Sequence, residues 1–190
     1  MINQKRAFKV LCLAKSALDS LSINYWLTDG TLLGFIREGN FIPHDNDMDL
    51  GVHINQHSTQ IIKAFADLDL KLFKTYGTIE RGLVYSFKHG EEKLDIFFFY
   101  DDSEFMWHAA WPYKNKIANL KIIKWLGLSK PRMIKFLYPK FSTKIMVFQG
   151  VEFNVPSDPI QYLVLKYGET WKIPIKKWDW AKSPKNLSEE

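Results

Sequence analysis

Three aspartates alternate with uncharged residues in the run Asp45-Asn46-Asp47-Met48-Asp49, and Leu50, Gly51 and Val52 follow. If the run opens a strand, alternation places all three carboxylates on one face. Like charges a few ångströms apart repel, so such a row is costly unless a cation neutralises it. An all-oxygen set suits Mg²⁺ or Mn²⁺, and Mg²⁺ keeps waters and borrows further oxygens from substrate phosphates. An acidic turn with solvated aspartates fits the same residues. A calcium loop of the EF-hand type does not, because the positions that need Gly and Glu, counted from Asp45, hold Leu50 and Gln56.

At 190 residues the chain is read as one domain over residues 1–180, large enough for a proper core, with a disordered tail at 181–190. An apolar share of 46% with 15% aromatic residues excludes disordered and low-complexity classes. Cys12 is the single cysteine, which excludes an internal disulfide and a multi-cysteine zinc site. The histidines (His44, His53, His57, His89, His108) show no metal-binding spacing. The N-terminal run MINQKRAFKVLCLAKSALDSL carries charge throughout and reads as a helix, not a signal peptide. No apolar run reaches membrane-spanning length, so the expected compartment is the cytoplasm.

The net charge of +5 is unevenly spread. No acidic residue stands between Glu104 and Glu152, where nine basic residues lie, from Lys114 to Lys144. The remainder holds 17 basic against 21 acidic residues, so an acidic first half faces a basic block.

Apolar spacing predicts a helix over 3–21, then a short buried strand over 24–28 ending at Asp29-Gly30. Thr31 suits the N-cap of a helix through Arg37, which Gly39 ends. A strand over 48–54 and a helix over 57–68 follow. The pattern then changes to strands over 70–76, 83–88 and 93–100, separated by turn residues. The last of these, KLDIFFFY, is apolar enough to be central, yet it holds Asp95. A carboxylate between Leu94 and Ile96 is expensive to bury unless it is paired with a base or bound to a metal. Set beside Asp47 and Asp49 on a neighbouring strand, Asp95 would complete a carboxylate cluster; a salt bridge to a neighbouring Lys or Arg is the simpler account.

Residues 105–144 interleave aromatics with lysines, a pattern that serves single-stranded nucleic acid or an anionic membrane surface, or simply a solvated basic face over an aromatic core. A hairpin over 144–155 turns at Gln149-Gly150, and Pro156-Ser157-Asp158-Pro159 starts a helix to about Tyr167.

The run DGTLLGFIREGNFIPHDNDMDLGV resembles the signature of the LicD/fukutin family, a branch of the nucleotidyltransferase fold. LDIFFFY resembles the strand that bears the family's third carboxylate, and VEFNVPSDPIQYLVLKYGETWKIP its C-terminal piece. Thr31 stands where a small residue is commoner, and His44 where an aromatic is frequent. The resemblance implies an α+β fold, a mixed β-sheet flanked by helices with a C-terminal hairpin and helix. It implies transfer of a phospho-alcohol (phosphocholine or ribitol phosphate) from a CDP-activated donor to a glycan hydroxyl, with release of CMP. Asp47, Asp49 and Asp95 would be catalytic and hold Mg²⁺ or Mn²⁺, with Asp95 also the general base. Gly30 and Thr31 would approach the donor phosphates, with Asp29, Arg37, His44 and Asp45 as further donor- or substrate-binding residues. Arg37 could equally pair with Glu38 on the surface. Expected partners are the CDP-linked donor, a glycan or lipid-linked glycan acceptor, and an anionic membrane at 114–144; no nucleic acid is expected. A nucleotidyltransferase acting on a small molecule or RNA would use the same carboxylates. A non-catalytic module would not need all three.

Overall fold

The apolar run that contains Asp95 becomes the middle of the sheet. In the computed structural model, which describes residues 3–112, 133–175 and 178–189, β5 (Glu92–Asp102) pairs with three other strands. It runs parallel to β2 (Met48–His53), and antiparallel to β4 (Arg81–His89) along its first half and β6 (Phe105–Ala110) along its second. A strand paired on both sides must be apolar on the face that meets the core. Leu94, Ile96 and Phe98 are accordingly buried.

Outward from this centre, β1 (Tyr25–Leu27) pairs antiparallel with β2, and β3 (Lys71–Thr78) with β4. Beyond β6 come β7 (Ile134–Pro139) and β10 (Leu187–Glu189), both antiparallel. A parallel pair needs a crossover. Between β2 and β5 the chain supplies one with α3 (Gln60–Asp67) and the β3–β4 hairpin. A separate hairpin of β8 (Thr143–Phe148) and β9 (Val151–Pro156) packs against β1.

Helix α1 (Gln4–Ser20) starts at Asn3, whose side chain accepts the Arg6 amide at 3.1 Å. It buries Ala7, Val10, Leu11, Ala14, Ala17 and Leu18, spacing that makes one apolar stripe. That stripe lies against α3 and β5. Helix α2 (Asp29–Glu38) ends at Gly39, in the left-handed conformation at φ 62°. Helix α4 (Pro159–Tyr167) is capped by the Asp158 side chain, which accepts the Gln161 amide at 3.0 Å. The result is the expected α+β architecture, a mixed sheet flanked by helices with a C-terminal hairpin and helix. Among the described residues no helix is long and apolar enough to cross a membrane.

Some elements differ from the readings above. Helix α2 begins two residues before Thr31, with Thr28 at its N-cap, so Thr31 lies inside the first turn. Strand β2 begins at Met48 as expected, so the acidic run does not open it as a whole: Asp45 and Asp47 precede it and only Asp49 belongs to the pleat. The two ends of the 105–144 stretch are strands, with β6 and β7 neighbours in the main sheet. The expected membrane-contact residues from 114 to 132 lie outside the described residues. The tail is also more ordered than its composition implies. Leu187 packs on the core and pairs with Phe136, because β7 would otherwise present an open edge.

Candidate active site

Parallel pairing of β2 with β5 sets Asp49 opposite Asp95 in register, and Ser86 of β4 is opposite Asp95 on its other side. Residues in one cross-strand row share a face, so two carboxylates and a hydroxyl form a row on the sheet. The Ser86 hydroxyl hydrogen-bonds Asp95. The row forms part of a cleft of about 600 Å³, also lined by Asp29, Gly30, Asp45 and Asp47.

The first turn of α2 is fastened to this row through Asp49. Gly30 donates its amide to Asp49 Oδ2 at 2.9 Å, and the Asp49 amide donates to Thr31 Oγ1 at 2.7 Å. The Thr28 amide donates to the Asp49 carbonyl at 3.2 Å. A side chain at 30 would displace the Asp45 carboxylate, because an added Cβ would sit 2.5 Å from Asp45 Oδ2 and 3.2 Å from Asp49 Oδ2. In this arrangement Gly30 holds the Asp49 carboxylate and Thr31 its backbone amide.

The carboxylates of the cleft oppose one another's ionisation. Burial, and then the charges of Asp47, Asp29, Asp45 and Asp95, push the Asp49 carboxyl well above the usual range. Burial, and then the charge of Asp47, push Asp45 up to about 7. Asp95 is also pushed up to about 7, by burial and, more weakly, by Asp47, against the Ser86 hydrogen bond. Carboxylates that resist ionisation together are what a divalent cation relieves. The donor set is all oxygen and fits Mg²⁺ or Mn²⁺. Among the described residues no three such side chains already converge as a metal-binding group.

Asp29 behaves differently. It opens α2 at a left-handed φ of 46° and turns its carboxylate into the protein. There it forms a close ion pair with Lys166 of α4, and His108 Nε2 of β6 lies 3.6 Å away. Burial works to raise its pKa, but Lys166 and then His108 hold the carboxyl well below the usual range. Lys166 is only 4% exposed, and its ammonium sits 4.3 Å from the centre of the Phe136 ring. His108 is fully buried, which pushes its pKa down and keeps it neutral. The Thr28 hydroxyl bonds the Tyr162 hydroxyl behind this pair, and Tyr162 stacks on Tyr138 at 4.3 Å.

Arg37 pairs with Glu38. Its Nε donates to Glu38 Oε1 at 2.7 Å and its Nη1 to the Trp171 carbonyl at 3.2 Å, while the side chain still lines the cleft. His44 is exposed at the cleft and Asp45 half-buried within it. All nine expected residues except Thr31 line the cleft; Thr31 lies behind it, on Asp49. Sequence reasoning missed Ser86, His108 and Lys166. The signal for Lys166 was its spacing, since Tyr162, Leu163 and Lys166 share the buried face of α4.

Residues 22–158 match the family model described as LicD/FKTN/FKRP, nucleotidyltransferase domain. The "Ribitol-5-phosphate transferase FKTN" of Macaca fascicularis is 37% identical over 188 residues, 98% of this chain and 38% of that protein. The "Ribitol 5-phosphate transferase FKRP" of Homo sapiens is 27% identical over 160 residues, 80% of this chain and 29% of that protein. The chain thus spans well under half the length of these relatives. Among solved structures, that of ANT(2")-Ia in complex with adenylyl-2"-tobramycin overlaps at a TM-score of 0.39 with 17% identity, covering 50% of this chain and 51% of that one, a likeness too slight to carry an argument. The family match covers most of the chain and includes Gly30, Asp47, Asp49 and Asp95, so the chain belongs to the LicD/FKTN/FKRP family.

Proposed function

We propose that the protein transfers a phospho-alcohol, ribitol phosphate foremost, from a CDP-activated donor to a glycan hydroxyl. The observation that carries this is the pairing of Asp49 with Asp95 in a cleft whose carboxylates resist ionisation together. Ribitol is preferred over choline because the relatives matched over most of this chain are ribitol-phosphate transferases.

Asp47, Asp49 and Asp95 are the residues that would hold Mg²⁺ or Mn²⁺. Such an ion, when bound, neutralises charge on the diphosphate and on the departing CMP. The chain's own residues do the rest. The three bonds from the first turn of α2 fix Asp49, so its carboxylate is held in place before substrate arrives. Asp95, beside Asp49 on the sheet, takes the proton of the acceptor hydroxyl. That oxygen forms a bond to the phosphorus bearing the alcohol, and the bond from this phosphorus to the CMP oxygen breaks. The products are a phosphodiester on the glycan and free CMP. Arg37, anchored by Glu38 and the Trp171 carbonyl, presents a cation to a donor phosphate.

The test is CMP release, followed by chromatography, from CDP-ribitol and CDP-choline with Mg²⁺ and an oligosaccharide mixture. CMP released from a CDP conjugate only when saccharide is present supports the reading. Pyrophosphate release from ATP or CTP, with no reaction of either CDP conjugate, would replace it with nucleotidyl transfer.

A further inference from the structure

Strand β3 carries a fault at Phe73. Leu72 is opposite Phe87 and Lys74 opposite Ser86, so Phe73 is the extra residue of a β-bulge. Bulges re-aim a side chain, often beside an active site. Here the ring is 54% exposed and lines the cleft that holds the carboxylates. Lys88 Nζ sits 3.7 Å from its centre, over the ring.

A second apolar surface reaches the same cleft from the segment after α4. Ile173, Ile175 and Trp180 are 63%, 47% and 42% exposed, and all three line it. Single exposed apolar residues are unremarkable on a protein surface, but clustered at one cleft mouth they mark a binding surface. Four of the ten large hydrophobic residues left exposed among the described residues gather at this one mouth. Nearby, Trp178 leans on Tyr167 at 5.1 Å, which steadies the segment.

The chemistry of the cleft selects the occupant. Its floor is lined with carboxylates, which repel an anion that brings no cation. A sugar ring is neutral and has a C–H face that an aromatic or branched aliphatic side chain can cover. Its hydroxyls lie around the edge, free to reach a base. Donor sites enclose most of their ligand, whereas residues this exposed leave one side open to water, as a ring within a longer glycan requires.

We propose that Phe73, Ile173, Ile175 and Trp180 form the acceptor subsite, holding one neutral sugar ring by its C–H face with a hydroxyl directed towards Asp95. This rests on the phosphotransferase reading above and adds the place and chemistry of acceptor recognition.

The test uses the full chain and the variants Phe73→Ala and Trp180→Ala, whose exposed side chains can be removed without opening the core. With CDP-ribitol and Mg²⁺, each variant raises the KM for saccharide about tenfold. The KM for CDP-ribitol and its calorimetric affinity stay within about twofold of the parent, the precision such comparisons resolve. A fall in CDP-ribitol affinity with an unchanged saccharide KM overturns the proposal, because the lip then holds the cytidine. Unchanged constants overturn it as well. A second measurement needs no turnover: saturation-transfer NMR with the methyl β-glycosides of glucose, galactose and xylose. Saturation of ring C–H protons by the parent protein, lost in both variants, supports the subsite even where every CDP donor proves inert and the phosphotransferase reading falls. No saturation from any of the three sugars sinks the subsite alone.

Discussion

Asp49 and Asp95 stand opposite one another on parallel strands, and burial makes both carboxylates hard to ionise. Two strands of the central sheet hold this pair, whereas Asp45 and Asp47 arrive on the segment just before β2. The site therefore joins a carboxylate pair set in the sheet to two carboxylates on the preceding loop.

Gly30→Ala puts a methyl group where Asp45 Oδ2 now lies. The carboxylate must move, and the amide contact to Asp49 with it. Calorimetry should show Mg²⁺-dependent affinity for CDP-ribitol falling about tenfold or more, a loss of roughly 1.4 kcal/mol. The melting temperature should change by no more than about 3 °C, since the displaced group is a side chain at the cleft.

Lys166→Met leaves Asp29 buried without its cation. Removing one member of a buried pair costs about 3–5 kcal/mol, read as a lower urea midpoint. Adding Asp29→Asn removes the stranded charge and should recover much of the loss. Equal or greater instability in the double variant would show that the pair is not what the ammonium serves.

Without a divalent cation, stability should fall as pH rises between about 4 and 7. Asp45 and Asp95 are pushed up to about 7 in the folded protein, while unfolded carboxylates titrate near 4, at roughly 3.9. Across that interval the folded state holds protons that the unfolded state has released, so raising the pH favours unfolding. Mg²⁺ should flatten the slope. Thermal melts in EDTA and in excess Mg²⁺ across this range make the comparison.

Ser86→Ala removes the hydrogen bond that favours the ionised form of Asp95. If Asp95 takes the acceptor proton, the acid limb of kcat/KM should move to higher pH. A lower rate with an unmoved limb would assign the proton to another group.

The strands bearing Asp49 and Asp95 were legible because their apolar runs are too long and too continuous for a surface element, and each carries a carboxylate that demands a partner. The Asp158 cap of α4 was legible because its signal is local. The strand character of β6 and β7 was not, since Trp107, Lys135 and Tyr138 read equally as an interleaved basic surface. Nor was the Asp29–Lys166 pair, whose members are 137 positions apart and meet only when α2 and α4 pack. Thr31 was singled out for its place beside Gly30, but its hydroxyl serves the Asp49 amide, a long-range contact with no local signature.

The most direct test is calorimetric titration of CDP-ribitol, with and without Mg²⁺, into the parent protein and Asp49→Asn. The account predicts Mg²⁺-dependent binding to the parent and its loss in the variant, which keeps the size of the side chain and removes its charge. Equal binding in EDTA, or unchanged affinity in Asp49→Asn, would contradict it.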